Sequence, residues 1–273
     1  MLFRSGDRNG GPCGALVVWS NTGNRNGLAT FARTEIVAKG SKEFFHRPAV
    51  ADIDADGILD IVAIGETSTD ANARWFKGTE SGIDPSPRSI GEGGGSLPVV
   101  ADVDADGDLD VVSGQYFLGP ESVVWFEQTG RTSTGDPTWS KHVITSAIGK
   151  IIQVSAVPGL DGPGTVGWIA TNHTNTTKPG QIESGVYRLE PGSDPRAEWT
   201  VDLLSTGISS QPSVGTAFQA APGVFGWGDI DGDGDIDIAV SGDGDDRLFL
   251  LEQTAPSMFS TRVLQTEIGR AHV

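Results

Sequence analysis

Apolar and polar residues alternate with a period of two in short runs along the whole chain. Clear cases are Ala15-Leu-Val-Val-Trp-Ser20, Ala73-Arg-Trp-Phe-Lys77, Ser122-Val-Val-Trp-Phe-Glu127, Ser184-Gly-Val-Tyr-Arg-Leu-Glu190 and Arg247-Leu-Phe-Leu-Leu-Glu252. Shorter apolar runs, such as Ile61-Val62-Ala63 and Val111-Val112, follow acidic turns. No segment carries a convincing 3.6-residue period, so the pattern predicts strands throughout. The 38 glycines and 15 prolines punctuate these runs and predict many turns.

The runs recur in order. Each unit reads strand, acidic turn, strand, hairpin, strand, loop, strand, and closes on a segment of the type Trp139-Ser-Lys-His-Val-Ile144, Glu198-Trp-Thr-Val-Asp-Leu203 or Phe259-Ser-Thr-Arg-Val-Leu264. Units fall at 47–96, 97–149, 150–210 and 211–266. Residues 6–46 hold the back half of another, with Phe31-Ala-Arg-Thr-Glu-Ile-Val37 as its closing strand. Four-stranded units of this length predict an all-β fold of β-propeller type, with four full blades and one partial blade in an incomplete ring. The strand before each acidic turn (Arg47-Pro-Ala-Val-Ala51, Leu97-Pro-Val-Val-Ala101, Val224-Phe-Gly-Trp-Gly228) is expected to be the interior one. The Trp and Phe residues of the third strands are expected to pack between blades rather than to form a sugar-binding platform.

The acidic turns carry the chemistry. Asp52-Ile-Asp-Ala-Asp-Gly-Ile-Leu-Asp60, Asp102-Val-Asp-Ala-Asp-Gly-Asp-Leu-Asp110 and Asp229-Ile-Asp-Gly-Asp-Gly-Asp-Ile-Asp237 all read D-x-D-x-D-G-x-x-D. Carboxylates at positions 1, 3 and 5 converge when the backbone curls around one point. Glycine at position 6 permits the turn, and position 7 offers its carbonyl, which is the donor logic of an oxygen-coordinated calcium loop. The expected ligands of three Ca²⁺ ions are therefore Asp52, Asp54, Asp56, Asp60 and the Ile58 carbonyl; Asp102, Asp104, Asp106, Asp110 and the Asp108 carbonyl; and Asp229, Asp231, Asp233, Asp237 and the Asp235 carbonyl. Magnesium fits less well, because it demands a strict octahedron and keeps its waters. A fourth turn, Val157-Pro-Gly-Leu-Asp161-Gly162-Pro-Gly-Thr165, aligns on its Asp-Gly pair but lacks carboxylates at positions 1, 3 and 9. It is expected to keep the turn without the metal.

Composition narrows the function. The net charge is −17, with 36 acidic residues against 19 basic ones. Such a surface is a poor match for nucleic acid or anionic lipid. No apolar run reaches membrane-spanning length. Cys13 is the only cysteine, so no intrachain disulfide forms. His46, His142 and His173 stand outside any nucleophile pattern, and Gly-x-Ser-x-Gly, His-Glu-x-x-His and P-loop motifs are missing. No catalytic residue is assigned. Loops 116–122, 172–178 and 241–246 are candidate recognition loops, and Asn172-His-Thr and Asn175-Thr-Thr are sequons that would mark an exposed loop in a secreted protein.

The motif [Ala/Gly]-Asp-[Ile/Val]-Asp-[Ala/Gly]-Asp-Gly-x-[Leu/Ile]-Asp-[Ile/Val] at 51–61, 101–111 and 228–238, with Trp-Phe-Glu-Gln at 125–128 and His-Val-Ile at 142–144, resembles the FG-GAP or VCBS-type calcium-binding propeller repeats, related to the integrin alpha-subunit propeller. Phe225-Gly226 is similar to the first half of the FG-GAP signature, although no Gly-Ala-Pro follows it. The resemblance implies structural calcium and a secreted or cell-surface module for adhesion or for binding a protein or glycan. The alternative it implies is the propeller part of a carbohydrate-active enzyme, such as a polysaccharide lyase or hydrolase. A purely structural spacer is the third possibility.

Both ends look foreign to the fold. Read back into codons, residues 267–273 resemble a sequencing adapter, and residues 2–5 resemble the opposite adapter. Residues 1–5 and 267–273 are therefore expected to be scars flanking a fragment of a longer protein at 6–266.

Overall fold

A computed structural model describes residues 14–38, 45, 47–65, 72–95, 97–116, 119–172, 182, 184–205, 221–243 and 247–265. Every regular element among them is a strand. The first two, β1 (Leu16–Arg25) and β2 (Leu28–Val37), form an antiparallel hairpin. The next sheet takes β3 (Ala49–Ala51), β4 (Asp60–Ile64), β5 (Asn72–Phe76) and, after the small hairpin β6 (Gly78–Thr79) and β7 (Gly82–Ile83), β8 (Arg88–Glu92). A second four-stranded sheet follows, from β9 (Val99–Ala101), β10 (Asp110–Gly114), β11 (Val123–Arg131) and β12 (Pro137–Thr145). The third is made by β13 (Ile151–Pro158), β14 (Val166–Asn172), β15 (Val186–Glu190) and β16 (Thr200–Leu203). The fourth is made by β17 (Ala221–Gly228), β18 (Asp237–Asp243), β19 (Leu248–Ala255) and β20 (Met258–Gln265).

Sheet neighbours follow chain order, with the small β6–β7 hairpin inserted between β5 and β8, so all four are meanders, the blade unit of the β-propeller class. The strand before each acidic turn lies at one end of its sheet's order, as an edge strand. The second strands β4 and β10 are buried at every residue. That two-sided burial explains why their sequences run apolar rather than alternate.

The chain divides into two compact units, one of residues 1–111 with 126–141, the other of 112–125 with 142–273. In the first, the β1–β2 hairpin places Leu16 and Ile36 against Ile61, Ala63 and Phe76 of the first four-stranded sheet. In the second, Val157, Ile169 and Val186 pack on Phe225, Ile238, Val240, Phe249 and Leu251, so two sheets share one apolar layer. A buried glutamine adds a polar link there. Gln153 donates from Nε2 to the Phe225 carbonyl at 3.1 Å and accepts the Phe225 N–H on Oε1 at 3.0 Å.

Trp75, Phe76, Trp125, Phe126 and Phe249 are at most 1 % exposed, so the third-strand aromatics are core residues. Asn172 is also fully buried: it donates to the Ile148 carbonyl and accepts the Gly185 N–H. Its sequon therefore does not mark an exposed loop, because the strand β14 runs one residue further than the polar composition suggests. Cys13, His46, His173, Asn175 and the scar candidates at 1–5 and 267–273 lie outside the described residues. Truncating Phe249 to Ala removes a ring from the shared layer of the second unit. A loss of about 3–5 kcal/mol in unfolding free energy is expected, measured by urea denaturation.

Candidate metal centre

Each acidic turn is the hairpin between the first and second strands of its sheet. Ala51 pairs with Asp60 across the first, and Gly228 with Asp237 across the last. The backbone closes by using its own carboxylates. Asp52 accepts the N–H of Asp56 on Oδ1 at 3.0 Å and that of Gly57 on Oδ2 at 2.8 Å. Asp102 does the same with Asp106 and Gly107 at 3.2 and 3.1 Å. The third loop departs from this scheme, because Asp229 accepts from Gly232 at 2.7 Å and Asp231 from Asp233 at 3.1 Å. Position 5 points along the loop in all three, with Asp56, Asp106 and Asp233 accepting the N–H of the position-7 residue at 2.9 Å.

Two left-handed residues make the curl possible. Position 6 is a positive-φ glycine, as its place in the motif demands. Position 4 is left-handed too, at φ 54° for Ala55 and 62° for Ala105, whereas the third loop uses Gly232 at 87°. Position 4 is a conformational requirement that the alanines hide and only Gly232 signals.

The position-9 aspartates are buried, at 0, 1 and 0 % exposure for Asp60, Asp110 and Asp237. Each spans the base of its loop with both oxygens. Asp60 accepts Ile53 N–H at 2.8 Å and Gly78 N–H at 2.6 Å. Asp110 accepts Val103 at 2.9 Å and Gln128 at 2.8 Å, and Asp237 accepts Ile230 at 2.9 Å and Gln253 at 3.0 Å. The carboxylate thus ties position 2 of the loop to the backbone at the end of the third strand. Sequence reasoning gave this residue only a ligand role, yet it also holds the loop to the sheet.

Carboxylate oxygens from positions 1, 3 and 9 converge in every loop. Those of Asp52, Asp54 and Asp60, of Asp102, Asp104 and Asp110, and of Asp229, Asp231 and Asp237 lie within 4.8 Å of one another. Asp56, Asp106 and Asp233 fall outside these trios. The donor set fits a hard divalent cation, since it consists of oxygens alone and each trio brings three negative charges together. A buried atom supports the fit: Asp54 Oδ1 is shielded from solvent and has no hydrogen-bond partner. Calcium bound there would be held by positions 1, 3 and 9 and would neutralise their charge.

The first loop carries one more group. Lys77, directly after β5, places Nζ on Asp54 Oδ2 and, at 2.6 Å, on Asp56 Oδ2. This contact holds the Asp56 carboxyl below its usual range, with the N–H of Ile58 acting in the same direction. Burial works to lower the Lys77 ammonium, but its bonds to Asp54 and Asp56 outweigh that and raise it. In the metal-poor fourth turn, Asp161 Oδ2 accepts from Arg188 Nη2 at 2.9 Å, and Thr165 Oγ1 replaces a carboxylate by donating to the Gly162 carbonyl at 2.8 Å.

Burial pushes the Asp110 carboxyl up to about 7, against the pull of the Gln128 and Val103 N–H groups and with the help of the Asp104 and Asp106 charges. Asp60 is raised for the same first reason. A carboxyl raised in the folded state binds a proton that the unfolded chain has already lost. Its stabilisation is full below about pH 4 and disappears as pH rises through about 7. The calcium-free protein is therefore expected to lose melting temperature between about pH 5 and about pH 8, and saturating calcium is expected to remove the decline, since ligation favours the ionised form. Melts across that range in EDTA and in calcium check both signs. Ala105→Gly is expected to raise stability by up to about 1 kcal/mol by relieving the left-handed strain, read from the urea midpoint.

The family described as FG-GAP-like repeat matches residues 52–113, from the first aspartate of one loop through the next loop into β10. No curated protein matches the chain, and no solved structure does. The matched stretch holds two of the three carboxylate trios found among the described residues, and the same convergence of positions 1, 3 and 9 recurs at 229–237. Residues 52–113 are thus similar to an FG-GAP-like repeat, within four-stranded meander sheets of the β-propeller type.

Proposed function

We propose that the acidic turns are calcium sites and that the chain serves as a secreted or cell-surface module that binds a protein or glycan partner on a calcium-stiffened scaffold. The observation that carries this reading is the repeated trio. In three separate sheets, positions 1, 3 and 9 bring carboxylate oxygens within 4.8 Å on a loop whose backbone is already closed by its own hydrogen bonds. Three negative charges gathered this closely favour a bound cation.

Affinity supports the extracellular assignment. Asp102, Asp229 and Asp231 are exposed, so water competes with the ion at these loops. Loops of this kind belong with the extracellular modules, which bind at roughly 0.1–1 mM. Calcium at about 1 mM outside cells would fill a site with a Kd of about 0.1 mM and stabilise the fold by about 1.4 kcal/mol. Cytosolic calcium would leave it empty. The acidic surface favours a neutral or basic partner over nucleic acid.

Calorimetric titration of the full chain with calcium tests the proposal. Saturable binding is expected, with Asp104→Asn and Asp231→Asn each removing one site. A gain of about 2–4 °C in melting temperature is expected per filled site. A folded protein that takes up no calcium, and melts identically in EDTA and in calcium, would overturn it.

A further inference from the structure

The three loops share a motif but not a charge environment. The register pairs Ile61 with Phe76, which sets Lys77 beside Asp60 at the mouth of the first loop. Its ammonium sits between Asp54 and Asp56, inside the ring of carboxylates. The position that matches Lys77, one residue before the N–H that clamps the buried aspartate, is Glu127 in the second repeat and Glu252 in the last. Both of those are acidic, and Glu252 is paired outward with Arg262 at 3.0 Å. At the second loop Arg131 lies 3.7 Å from the position-7 carboxylate of Asp108.

The fourth turn shows the same substitution carried further. There the carboxylates at positions 1, 3 and 9 are gone, and the one aspartate that remains is held by Arg188 from the third strand of its own sheet. In the first loop and the fourth turn alike, a basic side chain on or just after the third strand thus supplies positive charge to an acidic turn. In the first loop, however, all four aspartates are still present. Asp54, with its side chain only 7 % exposed, retains a buried Oδ1 without a hydrogen-bond partner. The loop keeps coordinating capacity that the ammonium does not use.

We infer that Lys77 is a tethered cation that competes with calcium for the loop at 52–60, so that this loop fills last or stays filled by lysine. The inference rests on the calcium-binding reading proposed above. Calcium and the ammonium draw on the same carboxylate of Asp54, and repulsion between the two cations opposes their presence together. Entry of the ion therefore requires the lysine to leave. Space exists for that movement, because an open cavity of about 580 Å³ adjoins the loop, lined by Asp54, Asp56, Lys77, Arg88, Thr134 and Asp136. The apparent Kd of the loop equals its intrinsic Kd divided by the fraction of time the lysine is out. A pair held on two carboxylates, one of them buried, keeps that fraction at about a tenth or below, so a weakening of about tenfold or more is expected.

Calcium calorimetry on the full chain separates the cases. The wild type is expected to show two sites of similar affinity and a third at least about tenfold weaker. Lys77→Met, which keeps the apolar stem and drops the charge, is expected to bring the third site level with the others. Three equivalent sites in the wild type would overturn the inference while leaving the calcium reading intact, as would a Lys77→Met protein that still shows only two strong sites. Binding at none of the loops would overturn the calcium reading itself. The double variant Asp104→Asn/Asp231→Asn leaves the first loop alone to report. Calcium is expected to raise its melting temperature only when Lys77→Met is added, and an equal rise with Lys77 present would also overturn the inference.

Discussion

The buried position-9 carboxylate is the constraint from which the rest of each repeat follows. Asp60, Asp110 and Asp237 lose their water, a cost of several kcal/mol for an ionised group, and offset part of it through two backbone N–H bonds apiece. One oxygen holds the start of the loop. The other holds the second residue after the third strand's aromatic pair in the first two repeats, and its counterpart in the last. A single side chain thereby fixes the loop to a hairpin two strands away. An aliphatic residue of the same size would leave two buried donors unsatisfied, and a glutamate would overshoot both.

That clamp brings an electrostatic debt with it. Holding position 9 in place draws the carboxylates of positions 1 and 3 toward it, within 4.8 Å. Two unit charges at that separation repel by about 3–4 kcal/mol at an effective dielectric near 20. The chain answers in three ways. Lys77 enters the first loop, Arg188 attends the fourth turn after most of its carboxylates have been replaced, and the loop at 229–237 leaves Asp229 and Asp231 exposed to solvent. Proton uptake is the remaining outlet, and it is visible at Asp110, where burial and its acidic neighbours push the carboxyl up to about 7.

Much of this was legible in the sequence, for physical reasons. Period-2 runs such as Val123-Val-Trp-Phe can bury alternate faces only as strands, and the spacing of the Asp turns leaves room for four strands per unit. The fourth turn was recognisable because the Asp161-Gly162 pair keeps a positive-φ glycine at position 6 even where Val157 and Thr165 have displaced the carboxylates. The double role of position 9 was not legible, because a metal ligand and a backbone acceptor call for the same side chain. Lys77 could be seen as a departure from Glu127 and Glu252, but where its ammonium points depends on the Ile61 to Phe76 register. Gln253 stands where the Trp-Phe-Glu-Gln motif at 125–128 has Gln128. Its task, bonding Ile236 N–H and the Leu160 carbonyl so that adjacent loops share one side chain, requires the packed sheets to be seen. Asn172 misled because a sequon says nothing about the carbonyl of Ile148.

The loops are closed by their own hydrogen bonds. Asp52 and Asp102 already bond the N–H groups at positions 5 and 6, and the position-5 carboxylates already bond position 7. In a zinc finger the ion supplies the free energy of folding, because the unliganded chain has no site. Here the backbone has met that entropic cost through its own hydrogen bonds, and an ion would contribute mainly by cancelling charge. On the calcium reading proposed above, the affinity of such a site would be set by the number of carboxylates and by any resident cation rather than by a folding equilibrium. An ion bound there would stiffen the loop without altering its path.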